Sequence, residues 1–264
     1  MTENVVIAFV LTTLAGLSTG IGSAIALLSR RTNTRFLSFS LGFSAGVMLY
    51  VSFVEMLGLA REALAGVYGE SVGGWAAAGS FFAGFVVIFI IDQLVPSYEN
   101  PHEARSVEEM HAPQNSSSLK RLGLLTALAI GINNFPEGLA TFAAALSDVQ
   151  VGISIAIAIA IHNIPEGISV AVPIMYATGS RRKAFWYSFL SGVSEPLGAL
   201  VGYLVLRPFF SDTLFGVLFA LVAGIMVFIS LDELIPTAKK YDAGHAAIYG
   251  VGLGMAVMAL SLLI

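Results

Sequence analysis

The sequence predicts an all-α polytopic membrane protein with eight transmembrane helices, and three observations carry that prediction. Of 264 residues, 56% are hydrophobic and only 11% charged, with a mean hydropathy of +0.84. A water-soluble domain carries about 25% charged residues, so this chain lacks the polar surface to dissolve. Apolar runs of roughly 20 residues, the length that crosses a bilayer as a helix, recur along the chain. The basic residues fall in alternate gaps between those runs, as positively charged cytoplasmic loops require. The net charge of −4 decides little, because the positions of the charges matter more than their sum. There is no cysteine, which removes disulfides and thiolate metal sites together. The bilayer, not nucleic acid, is the partner this composition implies.

The first run, about 5–28, follows "MTEN". That start lacks the basic region of a signal peptide, and the run is too long for one, so it is expected to be a retained span. Arg30, Arg31 and Arg35 separate it from the second run, 36–60. The third, 74–95, leads into the one long polar segment, 96–120, rich in Pro, Ser, Asn and Glu and expected to be a disordered cytoplasmic loop. His102 and His111 lie there among Glu103, Glu108 and Glu109; transient metal capture is conceivable, but a solvated linker is the plainer reading. Arg105, Lys120 and Arg121 belong to the same gap, before the fourth and fifth runs at 121–146 and 150–174. Arg181, Arg182 and Lys183 precede the sixth, 184–206. The seventh, 213–236, is followed by Lys239 and Lys240, and the eighth runs from 244 to 264. Eleven of the 13 basic residues thus share one side, with Arg61 and Arg207 on the other. Both termini are expected outside, and residues 1–264 form a single membrane domain.

Two internal repeats are visible. "INNFPEGLA" from Ile132 aligns with "IHNIPEGIS" from Ile161, and "AGVMLYVSFVEML" from Ala45 aligns with "AGIMVFISLDELI" from Ala223. The second pair falls on helices 2 and 7, which run in opposite directions on this topology. Related sequence in opposite directions suggests an inverted repeat, an architecture that places a substrate site near the membrane midplane.

The first pair carries the chemistry. An ionised carboxylate at the bilayer centre costs about 2.5–3.5 kcal/mol even on the lenient insertion scale. Here Glu137 and Glu166 lie near mid-span of helices 4 and 5, Glu195 lies in "LSGVSEPLGALVG" of helix 6, and Glu55 in helix 2. No basic residue inside a span can pair them, so a cation must come from outside. Residues four apart share a helix face, so His162 projects with Glu166, beside Asn163, and Asn133 with Glu137, beside Asn134. Pro136 and Pro165 have no N–H and free the carbonyls of Ile132 and Ile161, predicting kinked helices that line a cavity or are buried in protein. Gly138 and Gly167 predict close approach of a neighbouring helix. Carboxylates, amide oxygens and one imidazole without sulfur suit Zn(II), Fe(II), Mn(II) or Co(II) and disfavour Cu(I).

These motifs, with "SGVSEPLGALVG" and "AGIMVFISLDELIP", resemble the ZIP family of zinc and iron permeases over essentially the whole chain, most closely its bacterial ZupT group. The resemblance implies an eight-helix ZIP fold and uptake of divalent metal into the cytoplasm across a bacterial inner membrane, by a carrier in which helices 1, 4, 5 and 6 move against 2, 3, 7 and 8, as a homodimer. It implies Zn2+ and Fe2+ as substrate ions, with Mn2+, Co2+ and Cd2+ as further candidates. It also implies a two-metal centre. Asn134, Glu137, Asn163, Glu166 and Glu195 match the site assigned to iron, and Glu137, His162 and Glu166 match the site assigned to zinc. Met48, Glu55, Asp92, Asp232 and Glu233 lie where relatives place pathway or gate residues; for Asp92 and Asp232, acids at helix ends in contact with water are an equal reading. Asn133 is a departure, since many relatives have histidine there, and an amide makes the site harder.

Two rival functions follow from the same residues. An intramembrane metalloprotease needs two histidines at i and i+4 with a glutamate between them; here Glu166 replaces the second histidine, Asn163 the base, and Pro165 interrupts the helix. A metal-independent proton-coupled carrier would use the glutamates as relays but leaves His162 and the paired amides without a role.

Overall fold

In the computed structural model, residues 2–28, 33–94, 134–242 and 244–262 are described, and their regular structure is helical throughout. Among the described residues eight helical segments follow one another. They are α1 (Thr2–Leu28), α2 (Thr34–Tyr50, continuing unbroken to Tyr68), α3 (Glu70–Leu94), α4 (134–147), α5 (Val149–Thr178), α6 (Arg181–Leu206), α7 (Asp212–Ile229, continuing to Tyr241) and α8 (Ala246–Ser261). Six of them are long and apolar enough to cross a membrane; α8 is shorter, and α4 is described from residue 134 only. The polar segment 96–120 with His102 and His111, the first half of the fourth predicted span, and Asn133 lie outside the described residues.

Caps and turns, not hydropathy, set the helix ends. Asn33, Asp148, Ser180 and Ser211 each accept a hydrogen bond from a backbone N–H in the first turn of α2, α5, α6 and α7, satisfying donors that helix geometry leaves free. Gly69 at φ +80° is the whole connection between α2 and α3, and Gly179 at φ +62° ends α5; both need the backbone freedom of glycine. Consequently α2 runs eight residues beyond the predicted end at 60, and α7 runs five beyond 236. Hydropathy sees the part of a helix that meets hydrocarbon, whereas the helix itself continues to its stop signal.

Large apolar side chains point outward along the helices, among them Val6, Trp75, Phe82 and Leu204, as expected of a surface solvated by lipid. Inside, the helices form two bundles. In one, α1 packs against α5 and α6; in the other, α2 packs against α8, and α3 against α7. Glycines set the spacing in both. A Cβ at Gly138 would overlap the carbonyl of Glu195, and one at Gly167 that of Thr19, so the close approaches expected at these glycines are present. Gly42 and Gly46 bring α2 against Ala247 and Val251 of α8 in the same way, and Gly224 brings α7 against Phe81 of α3.

The repeat in α2 and α7 has a structural counterpart. The beginning of α2 packs against the end of α7, and the later part of α2 against the beginning of α7, so the two helices run in opposite directions. Both contain a wide turn at the same place in the repeat, Val51–Met56 and Ser230–Leu234. In each, an N–H donates to the serine carbonyl five residues back: Leu57 to Ser52, and Ile235 to Ser230. Such π turns insert one residue into a helix and re-aim the side chains around it. The inverted repeat therefore extends to a matched irregularity, with Glu55 in one turn and Glu233 in the other.

Candidate metal site

Two neighbouring helices of the first bundle supply the centre. On α5, which stays helical through Pro165, His162 and Glu166 stand one turn apart. Glu137 stands on α4, one turn in from Asn134. One donor atom from each of Glu137, His162 and Glu166 lies within 4.8 Å of the others. Among the described residues, this is the group of three acids and histidines able to hold one ion. His162 and Glu137 are 1% and 2% exposed and meet directly, Nε2 to Oε2 at 3.2 Å.

A second polar cluster adjoins the first on α6. Asn163 donates to Glu195 and also to the carbonyl of Ala15 on α1, the latter at 3.0 Å. Asn134 hydrogen-bonds Glu195 from α4. Glu195 and Asn163 are fully buried, yet among the described residues Glu195 Oε2, Asn163 Oδ1 and His162 Nδ1 have no hydrogen-bond partner. An unmatched buried polar atom costs about 1–3 kcal/mol. Carboxylates this close also repel one another: Glu166 lies in the field of Glu137 and of Glu233, and Glu195 in the field of Glu137 and Glu166. Clustered, desolvated carboxylates with oxygen and nitrogen donors converging on them form a cation-binding arrangement of borderline-to-hard character.

The chain matches the family model described as ZIP zinc transporter over residues 3–118 and 96–262. It is 63% identical to the zinc transporter ZupT of Nitratidesulfovibrio vulgaris, over 99% of this chain and 98% of that protein. It is 57% identical to the zinc transporter ZupT of Oceanobacillus iheyensis, over 99% of both chains. With the zinc transporter ZupT of Clostridium perfringens the identity is 58%, over 99% of this chain and 97% of the other. This chain belongs to the ZIP family. It is accordingly a multi-pass membrane transporter and not an enzyme, which sets the protease reading aside.

Of the residues singled out from the ZIP motifs, Asn134, Glu137, His162, Asn163, Glu166 and Glu195 are brought together on α4, α5 and α6. The others lie on α2, α3 and α7, with Glu233 close enough to act on Glu166. Met48 is buried on α2, and Glu55 is half-buried in the π turn beyond it. Asp92 is half-buried near the end of α3, Asp232 is exposed, and Glu233 is half-buried on α7. Two contributors carry no motif. The Ala15 carbonyl orients Asn163, and the Ser44 hydroxyl on α2 donates to the His162 carbonyl at 3.3 Å. For Ala15 a signal existed in the small residues Ala15, Gly16, Thr19, Gly22 and Ser23, spaced to make one close-packing face of α1.

Proposed function

We propose that this protein carries divalent metal, zinc foremost and Fe2+, Mn2+, Co2+ or Cd2+ with it, into the cytoplasm across a bacterial inner membrane. The observation that carries the reading is the convergence of Glu137, His162 and Glu166, with donor atoms within 4.8 Å and two of the three side chains buried. Glu137, His162 and Glu166 form one metal site; Asn134, Glu137, Asn163, Glu166 and Glu195 form a second, with the two glutamates bridging. The unmatched oxygens of Asn163 and Glu195 support that second site. The names of the ZupT relatives support zinc as a substrate.

Both termini face outward, on the split of basic residues, and Met48, Glu55, Asp92, Asp232 and Glu233 mark the route to and from the centre. The Coulombic reach of Glu233 to Glu166 supports its place on that route. Ions move by a carrier cycle in which the α1, α4, α5, α6 bundle slides against the α2, α3, α7, α8 bundle, each chain working within a homodimer. The glycine contacts support this division, because the tight backbone approaches lie within each bundle. A divalent cation entering down 100 mV gains about 4.6 kcal/mol, at roughly 2.3 per charge, so the potential alone can drive uptake. The test is zinc uptake by purified protein in proteoliposomes, with Fe, Mn, Co and Cd as competitors. Zinc-dependent uptake suppressed by those metals is expected; a substrate flux that needs no metal would favour the proton-coupled alternative.

A further inference from the structure

Ser44 lies on α2 midway between Gly42 and Gly46. The two glycines, four residues apart, share the face that presses on the α8 backbone at Ala247 and Val251. Ser44 is two residues from each and therefore occupies the opposite face. There, with its side chain fully buried, its hydroxyl donates to the main-chain carbonyl of His162 on α5 at 3.3 Å. The bond passes from one bundle to the other, at the helix that bears the metal ligands. The backbone contacts at Gly16, Gly22, Gly138 and Gly167 on one side, and at Gly42 and Gly224 on the other, all stay within a bundle.

We propose that Ser44 is a positioning residue of the transport cycle: its hydroxyl latches the His162 segment of α5 against α2 in the conformation seen here and releases it when the bundles slide. The chemistry fits a contact made and broken repeatedly. Pro165 cannot donate to the carbonyl of Ile161, so this stretch of α5 lacks one rung of its ladder. A neighbouring carbonyl, at His162, is accessible to a second donor. The bond is longer than the usual 2.7–2.8 Å or so of hydroxyl donors, so breaking it costs little. A glycine seated on a backbone carbonyl cannot be separated so cheaply, since a whole packed surface would part with it. Loss of one hydroxyl bond of this kind shifts a two-state equilibrium by about 2- to 10-fold.

This inference rests on the moving-bundle reading, and the experiment separates the two. The chain has no cysteine, so G66C with S147C gives one reporter pair for spin labels. Gly66 at the far end of α2 has open space around it, and Ser147 at the end of α4 is exposed. Pulsed electron resonance on full-length protein in liposomes is expected to give two distances, their ratio moved by zinc. S44A, which removes one oxygen, should change that ratio about 2- to 10-fold, while S44T, which keeps the hydroxyl, should leave it near wild type. In uptake assays S44A should alter KM for zinc together with turnover; loss of folded protein would lower turnover alone. A single distance with and without zinc overturns the moving bundles and the latch together. Two distances whose ratio S44A does not move, or S44T moves equally, overturn the latch and leave the carrier standing.

Discussion

The two bundles bury different chemistry. In the α1, α4, α5, α6 bundle the buried polar residues include Glu137, His162, Asn163 and Glu195, together with hydroxyls such as Thr19, Ser23 and Ser188. Several of those hydroxyls are tied together: Ser23 meets Ser188 at 2.6 Å, and Ser188 donates to the Gly167 carbonyl at 3.0 Å. In the α2, α3, α7, α8 bundle the buried polar residues are serines on α2 and α7, set among Leu, Val, Met and Phe. Among its acids, Glu55, Asp232 and Glu233 sit in the π turns, half-buried or exposed, and Asp92 is half-buried near the end of α3. Charged groups are costly in a membrane unless they serve a pathway, and the buried ones among the described residues are concentrated in one bundle. Both are held by the same device, glycine against backbone.

That contrast can be broken most severely at the glutamates. E137Q or E166Q should reduce zinc uptake by more than about 100-fold, beyond the 10- to 100-fold or so typical of residues that only support a ligand, with insertion unchanged. E55Q, in the other bundle, should cost about tenfold or less. Equal losses at Glu55 and Glu166, measured as initial rates in proteoliposomes, would erase the distinction between bundles.

Packing comes next in size. G167V adds a side chain where even a Cβ overlaps the Thr19 carbonyl, and overpacking costs about 1–3 kcal/mol. Its thermal unfolding midpoint in detergent should fall, and G46V, against α8, should fall comparably. G58A, with open space around it, should be neutral. A stable G167V would mean that the contact between α1 and α5 gives way to the added side chain.

The smallest expected effect is at Asn133. Imidazole suits zinc better than an amide oxygen does, so N133H should raise the ratio of zinc to manganese transport by about tenfold, the lower end of what a supporting residue contributes. An unchanged ratio in a well-expressed variant would leave selectivity to His162. The orientation has its own check: S117C should react with impermeant thiol reagents from the cytoplasmic side, and labelling from outside would reverse the topology.

The readable features were those written in side-chain type. Hydropathy pointed to the apolar helices, and the Pro-Glu-Gly pairs pointed to Glu137 and Glu166, because carboxylates in an apolar run have few alternatives. The hidden features are written in the backbone. Nothing in "VSFVEM" announces a π turn, since an inserted residue changes hydrogen-bond spacing and not composition; only the alignment of Ala45–Leu57 with Ala223–Ile235 hints that both helices share an irregularity. The Ala15 carbonyl and the Ser44 bond depend on which helices become neighbours, and a small residue in a small-residue helix carries no mark of that.

The central claim is that zinc is held by Glu137, His162 and Glu166, and X-ray absorption at the zinc edge of the purified, zinc-loaded protein tests it most directly. The account predicts a nitrogen and oxygen shell at about 2.0–2.2 Å, with the outer-shell scattering of one imidazole that disappears in H162A, and weakened zinc retention in E166Q. An imidazole signature that survives H162A, or a sulfur neighbour at about 2.3 Å, would contradict it.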